Sequence, residues 1–268
     1  LTVTRSNFLD AGGNNFKIVG CSGCWVSNVV SNDTEWWHVD IDRSIWTTVA
    51  GSRFNDGQRH AGGYAYGVVS GIFATAGLIE NNIFYRNRHS MVLQSGASGN
   101  VYAYNFSAEC FQGDPAESWL AADMTTHGAH PTMNLFEGNI GCKLYADNAH
   151  GSSSYNTMFR NHITRKSNYP GISQALRAVD LEQYNTGWNI VGNVLGESGQ
   201  SWDSYDPGAS RSAGSGRYVY TFGYWSDGQG SSADYSGVPA TTYRHGNYDY
   251  QSQSVRWDAA VADHNLPS

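Results

Sequence analysis

The chain has 268 residues, 40% of them hydrophobic, which is enough apolar material for a core, so neither disorder nor a scaffold held only by disulfides is expected. A formal net charge of −7 and a pI near 5.6 argue against a nucleic-acid partner, because such partners are normally held by a basic patch that releases counterions. No run of about 18 apolar residues occurs, so membrane insertion is not expected.

In chain order, short apolar runs recur in front of an Asn or its equivalent. They read VTRSNFL at Asn7, CWVSNVV at Asn28, TVAGSRF with Ser52 in that slot, and LIENNIF at Asn82. VYAYNFS at Asn105, LFEGNIG at Asn139, TMFRNHI at Asn161 and NIVGNVL at Asn193 follow. The intervals are 21, 24, 30, 23, 34, 22 and 32 residues, a minimal unit of about 22 with insertions. Gly, Asn, Ser and Asp bound runs too short for an amphipathic helix, and 31 Gly with 17 Tyr against 16 Lys plus Arg also favour strands. Asn tolerates the left-handed backbone region, and its amide can bond an identical amide one rung away. Residues 1–195 are therefore expected to be an all-β, parallel β-helix solenoid with loop insertions; propeller units run to about 40 residues or more, and sandwiches lack a repeated Asn corner. Residues 196–268 hold 8 of the 17 tyrosines among Gly and Ser and are expected to form a loop segment and a terminal coil or cap.

Four cysteines are too few for a disulfide framework. CSGC at 21–24 has no second CxxC for zinc and no following His for haem, so Cys21, Cys24, Cys110 and Cys142 are expected to be buried or locally paired. The chain opens at Leu1 with neither a Met nor a basic-then-apolar leader, which suggests processing and an extracellular location, secreted or at the cell surface.

The Asn corner followed by an apolar residue resembles the right-handed parallel β-helices of the pectate-lyase-like superfamily, whose members include polysaccharide lyases and glycoside hydrolases. The resemblance covers about three quarters of the chain. It implies right-handed winding and a carbohydrate substrate. WHVDIDRS at 37–44 is faintly similar to the lyase pattern in which a WIDH run supplies structural and calcium-side residues, but no RxPxxR run accompanies it. His150-Gly151 and Thr164-Arg165-Lys166 are incompletely similar to the HG and RIK elements of polygalacturonase-type hydrolases. In the lyase branch a positively charged residue takes the proton beside a uronate carboxylate that calcium or Arg has neutralised.

Upstream of each Asn lies another β-like run: HVDID ending at Asp42, YGVVS at Ser70, MVLQ at Gln94, LAAD at Asp123, KLYAD at Asp147 and RAVD at Asp180. Equal places on consecutive coils would lie about 4.8 Å apart, so Asp123, Asp147 and Asp180 would form a column in which repulsion raises at least one pKa. Neighbours at ~5 Å approach the retaining glycosidase geometry, and members two rungs apart at ~9.6 Å approach the inverting one. His127, His130 and His150 stand close by as proton carriers, which completes the expected catalytic set. His89 and the cations Arg86, Arg88, Lys143, Lys166 and Arg177 would bind an acidic sugar, and Trp202 and Trp225 would stack on sugar faces. No HxH or HExxH spacing points to a metal, and nothing in the sequence specifies a cofactor.

The expected function is cleavage of a polysaccharide by acid/base chemistry in a groove on the solenoid, with hydrolysis favoured over elimination. The alternative is a structural or adhesive β-helix, such as a filament subunit or a surface or phage-tail binding module, in which a homo-oligomer replaces the substrate as partner.

Overall fold

The local sequence of a coil dictates its corner. In LIENNIF, the run Leu78–Glu80 ends at Asn81 in the left-handed region (φ 54°), Asn82 turns inward, and Ile83–Tyr85 starts a new direction. The same step recurs at Tyr104 and Asn105, Gly138 and Asn139, Arg160 and Asn161, and Gly192 and Asn193. Repetition of this corner winds the chain through three sheets in turn. In the computed structural model, residues 13–208, 214–225 and 236–267 are described, with the backbone of two short strands, Thr2–Val3 and Asn7–Phe8.

Among the described residues the sheets contain nine, ten and eight strands, and every strand but the last, Ser254–Arg256, pairs in parallel with its equivalent one coil away. The protein is a parallel β-helix solenoid. The coils continue beyond residue 195 through Tyr218–Phe222, Tyr243–His245 and Asn247–Asp249. Ser254–Arg256 then folds back antiparallel on Asn247–Asp249, and the parallel ladder stops there. The turn of helix Gly237–Thr241 lies in this last coil.

Like residues stack on like along the interior. In the first sheet Val26, Val49, Ile79, Tyr102, Phe136, Met158 and Ile190 form one register row, all fully buried. In the third, Val39, Val68, Met91, Met124, Leu144 and Val179 do the same. Burying a side chain of this size stabilises by about 1.5–3 kcal/mol, so these rows dominate the favourable side of folding.

The predicted Asn ladder runs Asn82, Asn105, Asn139, Asn161, Asn193 and on to Asn247. From Asn105 on, each Oδ1 accepts from the backbone N–H and the Nδ2 of the Asn one coil earlier, at 2.9–3.0 Å, and Asn82 Oδ1 accepts from the N–H of Ser52, which holds that slot as expected, at 3.0 Å. Two members of the sequence alignment fall outside it. Asn28 occupies the left-handed position (φ 54°), and Val29 holds the inward slot, donating its N–H to Ser52 Oγ. Asn7 pairs with Val30 and so lies in the strand after the corner. A second ladder, Asn100, Asn134 and Asn156, stacks at the corner between the third and first sheets and was not anticipated.

Cys21 and Cys24 form a disulfide, while Cys110 and Cys142 are buried free thiols. No helix among the described residues is long and apolar enough to cross a membrane.

Candidate functional site: a groove outside the third sheet

Strand alternation builds the site. In KLYAD, Leu144 and Ala146 are buried in the main core, which sends Lys143, Tyr145 and Asp147 toward the opposite face. Because Ala146 pairs with Thr126, the residues that follow them, Asp147 and His127, are rung neighbours. His127 Nδ1 lies 2.5 Å from Asp147 Oδ2, and Asp147 Oδ1 accepts the N–H of Ala149 at 3.1 Å. The carboxylate is thus held on both oxygens. It fixes the imidazole with Nδ1 as donor and leaves Nε2 to exchange a proton. The His150 ring meets His127 edge-on at 4.9 Å.

This pair lies in a cavity of about 150 Å³ walled by Tyr66, Arg88, His89, Trp119, Ala122, Lys143, Tyr145 and Ala149. The walls are braced from behind. Arg88 Nη1 donates to Tyr66 Oη at 2.8 Å and its Nε to Gln112 Oε1 at 2.8 Å. His89 Nδ1 is 2.6 Å from the carbonyl of Ala122; burial first and Arg88 second hold its pKa well below the usual imidazole range, so it is neutral and donates there. Burial likewise raises the Tyr66 pKa and keeps it a phenol. Tyr145 Oη donates to Glu182 Oε1 at 2.8 Å, and the N–H of Asn148 donates to Oε2 at 2.9 Å.

Beneath Lys143, Asp180 is buried 3.5 Å from its Nζ and 2.5 Å from Arg177 Nη1. Burial alone would raise the Asp180 pKa, but Arg177 and Lys143 outweigh it and hold the carboxyl below its ordinary value. Arg177 is therefore a fully buried counter-ion, removed from the groove surface.

The column of three aspartates does not form. Taking Leu93, Thr126, Ala146 and Leu181 as one row, Asp180 stands one residue before it, Asp147 one after and Asp123 three before. The strands do lie in one sheet, but they end at unequal places, so aligning their last residues misjudges the register. Asp123 turns into the interior, where Oδ1 accepts from Ser107 Oγ at 2.6 Å and Oδ2 from the N–H of Cys142. Its pKa is raised by burial rather than by neighbouring carboxylates.

Of the other sequence candidates, Arg88, His89, His127, Lys143 and Asp147 line the cavity together. His130 is exposed and bonded to Ser154 Oγ at 2.8 Å. Arg86 is tied to Glu109 at 3.0 Å and Lys166 to Glu197. Trp202 is half-buried beneath Arg165, 3.7 Å away, and Trp225 is exposed, and neither lines the cavity. Tyr66, Trp119, Tyr145 and Glu182 were missed. Strict alternation from Leu144 and Ala146 would have flagged Tyr145; Trp119 comes from an insertion whose path no local pattern gives.

No protein-family model matches the chain, and comparisons with curated proteins and with solved structures give no significant match.

Proposed function

We propose that the chain is an extracellular carbohydrate-active enzyme of the pectate-lyase-like kind, cleaving a polysaccharide by acid/base chemistry in this groove. The observation that carries the reading is the His127 and Asp147 pair, an oriented imidazole among aromatic and cationic side chains on the outside of a parallel β-helix. Trp119 and Tyr145, both half-buried, supply faces for sugar rings, and the half-buried Arg88 supplies positive charge for a uronate, whereas Lys143 is buried against Asp180 and adds to that field from behind the wall. With the aspartate column gone and Glu182 engaged by Tyr145 and Asn148, two-carboxylate hydrolysis loses its geometric basis. Elimination asks for one positioned base, and His127 Nε2 fits that role.

A second reading, an adhesive or filament-forming β-helix, is favoured by the exposed apolar side chains Trp46, Phe73, Met133, Tyr155 and Tyr184 at coil corners. One experiment separates the readings. The purified chain is incubated with neutral and uronate polysaccharides, with reducing ends and the ultraviolet absorbance of unsaturated products recorded separately. Both signals rising on a uronate polymer is the expected result. Reducing ends without absorbance would mean hydrolysis, and neither signal on any polymer would leave the adhesive reading.

A further inference from the structure

The two free cysteines lie on adjacent coils and meet. Phe106–Ala108 pairs with Ile140–Gly141 through Phe106 and Ile140, which brings the residues that follow, Cys110 and Cys142, to the same part of the stack. Their Sγ atoms and a carboxylate oxygen of Asp123 all lie within 4.8 Å of one another, and all three residues are buried. Leu120, Ala121, Ile172 and Leu176 pack around the two thiols, and Cys110 Sγ donates to the carbonyl of Ala121 at 3.4 Å.

We propose that Cys110 and Cys142 form a structural disulfide that fastens the inserted segment 109–123 to the coil after it. Bonded sulfurs lie about 2.05 Å apart, and the two thiols already lie within 4.8 Å of one another. A metal centre is the competing use of these atoms and fits less well. Asp123 is already satisfied by Ser107 and by the Cys142 N–H, three ligands converge among the described residues, and structural zinc takes four. The chain also holds one disulfide already, at Cys21 and Cys24.

The bond matters for the groove because the fastened segment supplies Trp119 and Ala122 to its wall, and the Ala122 carbonyl receives His89. The inference stands without the proposed activity, since its readouts are covalent and local.

The exchange balances with a low-molecular-weight disulfide such as oxidised glutathione. One cysteine thiolate attacks a glutathione sulfur and expels one reduced glutathione, giving a mixed disulfide. The second cysteine thiolate then attacks the protein sulfur of that mixed disulfide and expels the other. The cysteines lose two electrons, the glutathione disulfide gains them, and the two thiol protons leave with the two glutathione molecules. Burial pushes the folded Cys110 thiol up to about 11 and holds the Cys142 thiol well above the usual thiol range, so thiolate is scarce once the site has closed and the exchange belongs to folding.

The test is to refold the reduced full chain with oxidised glutathione, unfold it in iodoacetamide without reductant, and map the peptides. A peptide joining Cys110 to Cys142, with neither alkylated, is expected. Hydrogen exchange across residues 109–123 should then be slower by about tenfold or more than in the Cys110→Ser and Cys142→Ser double variant, which controls for loss of the bond. Both cysteines recovered alkylated, with or without bound zinc, would overturn the proposal, as would a linked peptide whose segment exchanges as fast as in the variant.

Discussion

The corner between the first and second sheets and the groove outside the third sheet are built from the same coils by opposite rules. At the corner, each coil repeats its neighbour: from Asn82 to Asn193 each Asn donates to the Asn of the next coil, and its Nδ2 also donates to a backbone carbonyl of an earlier coil. At the groove, successive coils supply different residues, His127 from one and Lys143, Tyr145 and Asp147 from the next, with Trp119 from an insertion. Repetition gives stability because any residue that stacks well on itself stacks well on every rung. Chemistry needs unlike groups in contact, so the proposed reaction falls where the repeat is broken.

The largest effect that would sharpen this contrast is on turnover. Replacing His127 with Ala removes the one oriented proton carrier, and the rate on an established polysaccharide should fall by about 10²- to 10⁴-fold while the thermal midpoint moves little. A variant retaining full activity in initial-rate assays would move the chemistry elsewhere.

The reverse dissociation is expected at the corner. Asn139 Oδ1 accepts from both the N–H and the Nδ2 of Asn105, and its own Nδ2 donates to Tyr102 O and Asn161 Oδ1. Asn139→Ala strands buried donors on one side and acceptors on the other, at a cost of about 3–5 kcal/mol in denaturant titration, with activity per folded molecule unchanged.

A smaller effect is expected from His38, buried against Phe54. Its Nε2 donates toward Asp56 O and Asn87 Oδ1, and its Nδ1 accepts from Ser31 Oγ. Burial lowers its pKa to about 4. Above its unfolded value, near 6.5, both states are neutral and the contribution is intact; as pH falls toward 4 the unfolded chain takes a proton that the folded one refuses. Up to about 3 kcal/mol of stability is lost across that window. Asp40, Asp56 and Asp123, with folded pKa values raised by burial, act oppositely above the ordinary carboxylate value, so the reading is the difference between wild type and His38→Gln. Parallel stability curves for the two proteins from pH 6.5 to 4 would contradict the assignment.

The smallest effect concerns the outside of a corner. Gly187 has φ +66°, and a Cβ there would meet the Tyr155 ring at 2.6 Å. Gly187→Ala should cost about 1–2 kcal/mol, mostly backbone, because the exposed ring can swing away. Adding Tyr155→Ala should recover only the small steric part.

What the sequence disclosed follows the same division. The Asn82 to Asn193 ladder was legible because each contact joins residues of one type at one recurring place. The second ladder was hidden because only three coils carry it, with Gly77 before it and Trp188 after it in the equivalent slots. Asp123 was misplaced because counting from the ends of runs assumes equal strands, whereas His89–Gln94, Met124–His127 and Leu144–Ala146 differ in length. His127 and Asp147 were found as types but not as a pair. Their contact depends on Thr126 registering with Ala146 across an interval that contains the Asn134 and Asn139 corners.

The central claim is that this pair performs the chemistry and the ladder does not. Asp147→Asn keeps the side-chain volume but gives up the carboxylate that orients His127, so one paired measurement decides: initial rate per folded molecule together with thermal midpoint, for Asp147→Asn against wild type. The account predicts a rate loss of about 10²-fold or more with a midpoint shift of no more than a few degrees. An unchanged rate, or a rate that falls only in step with the folded fraction, would contradict it.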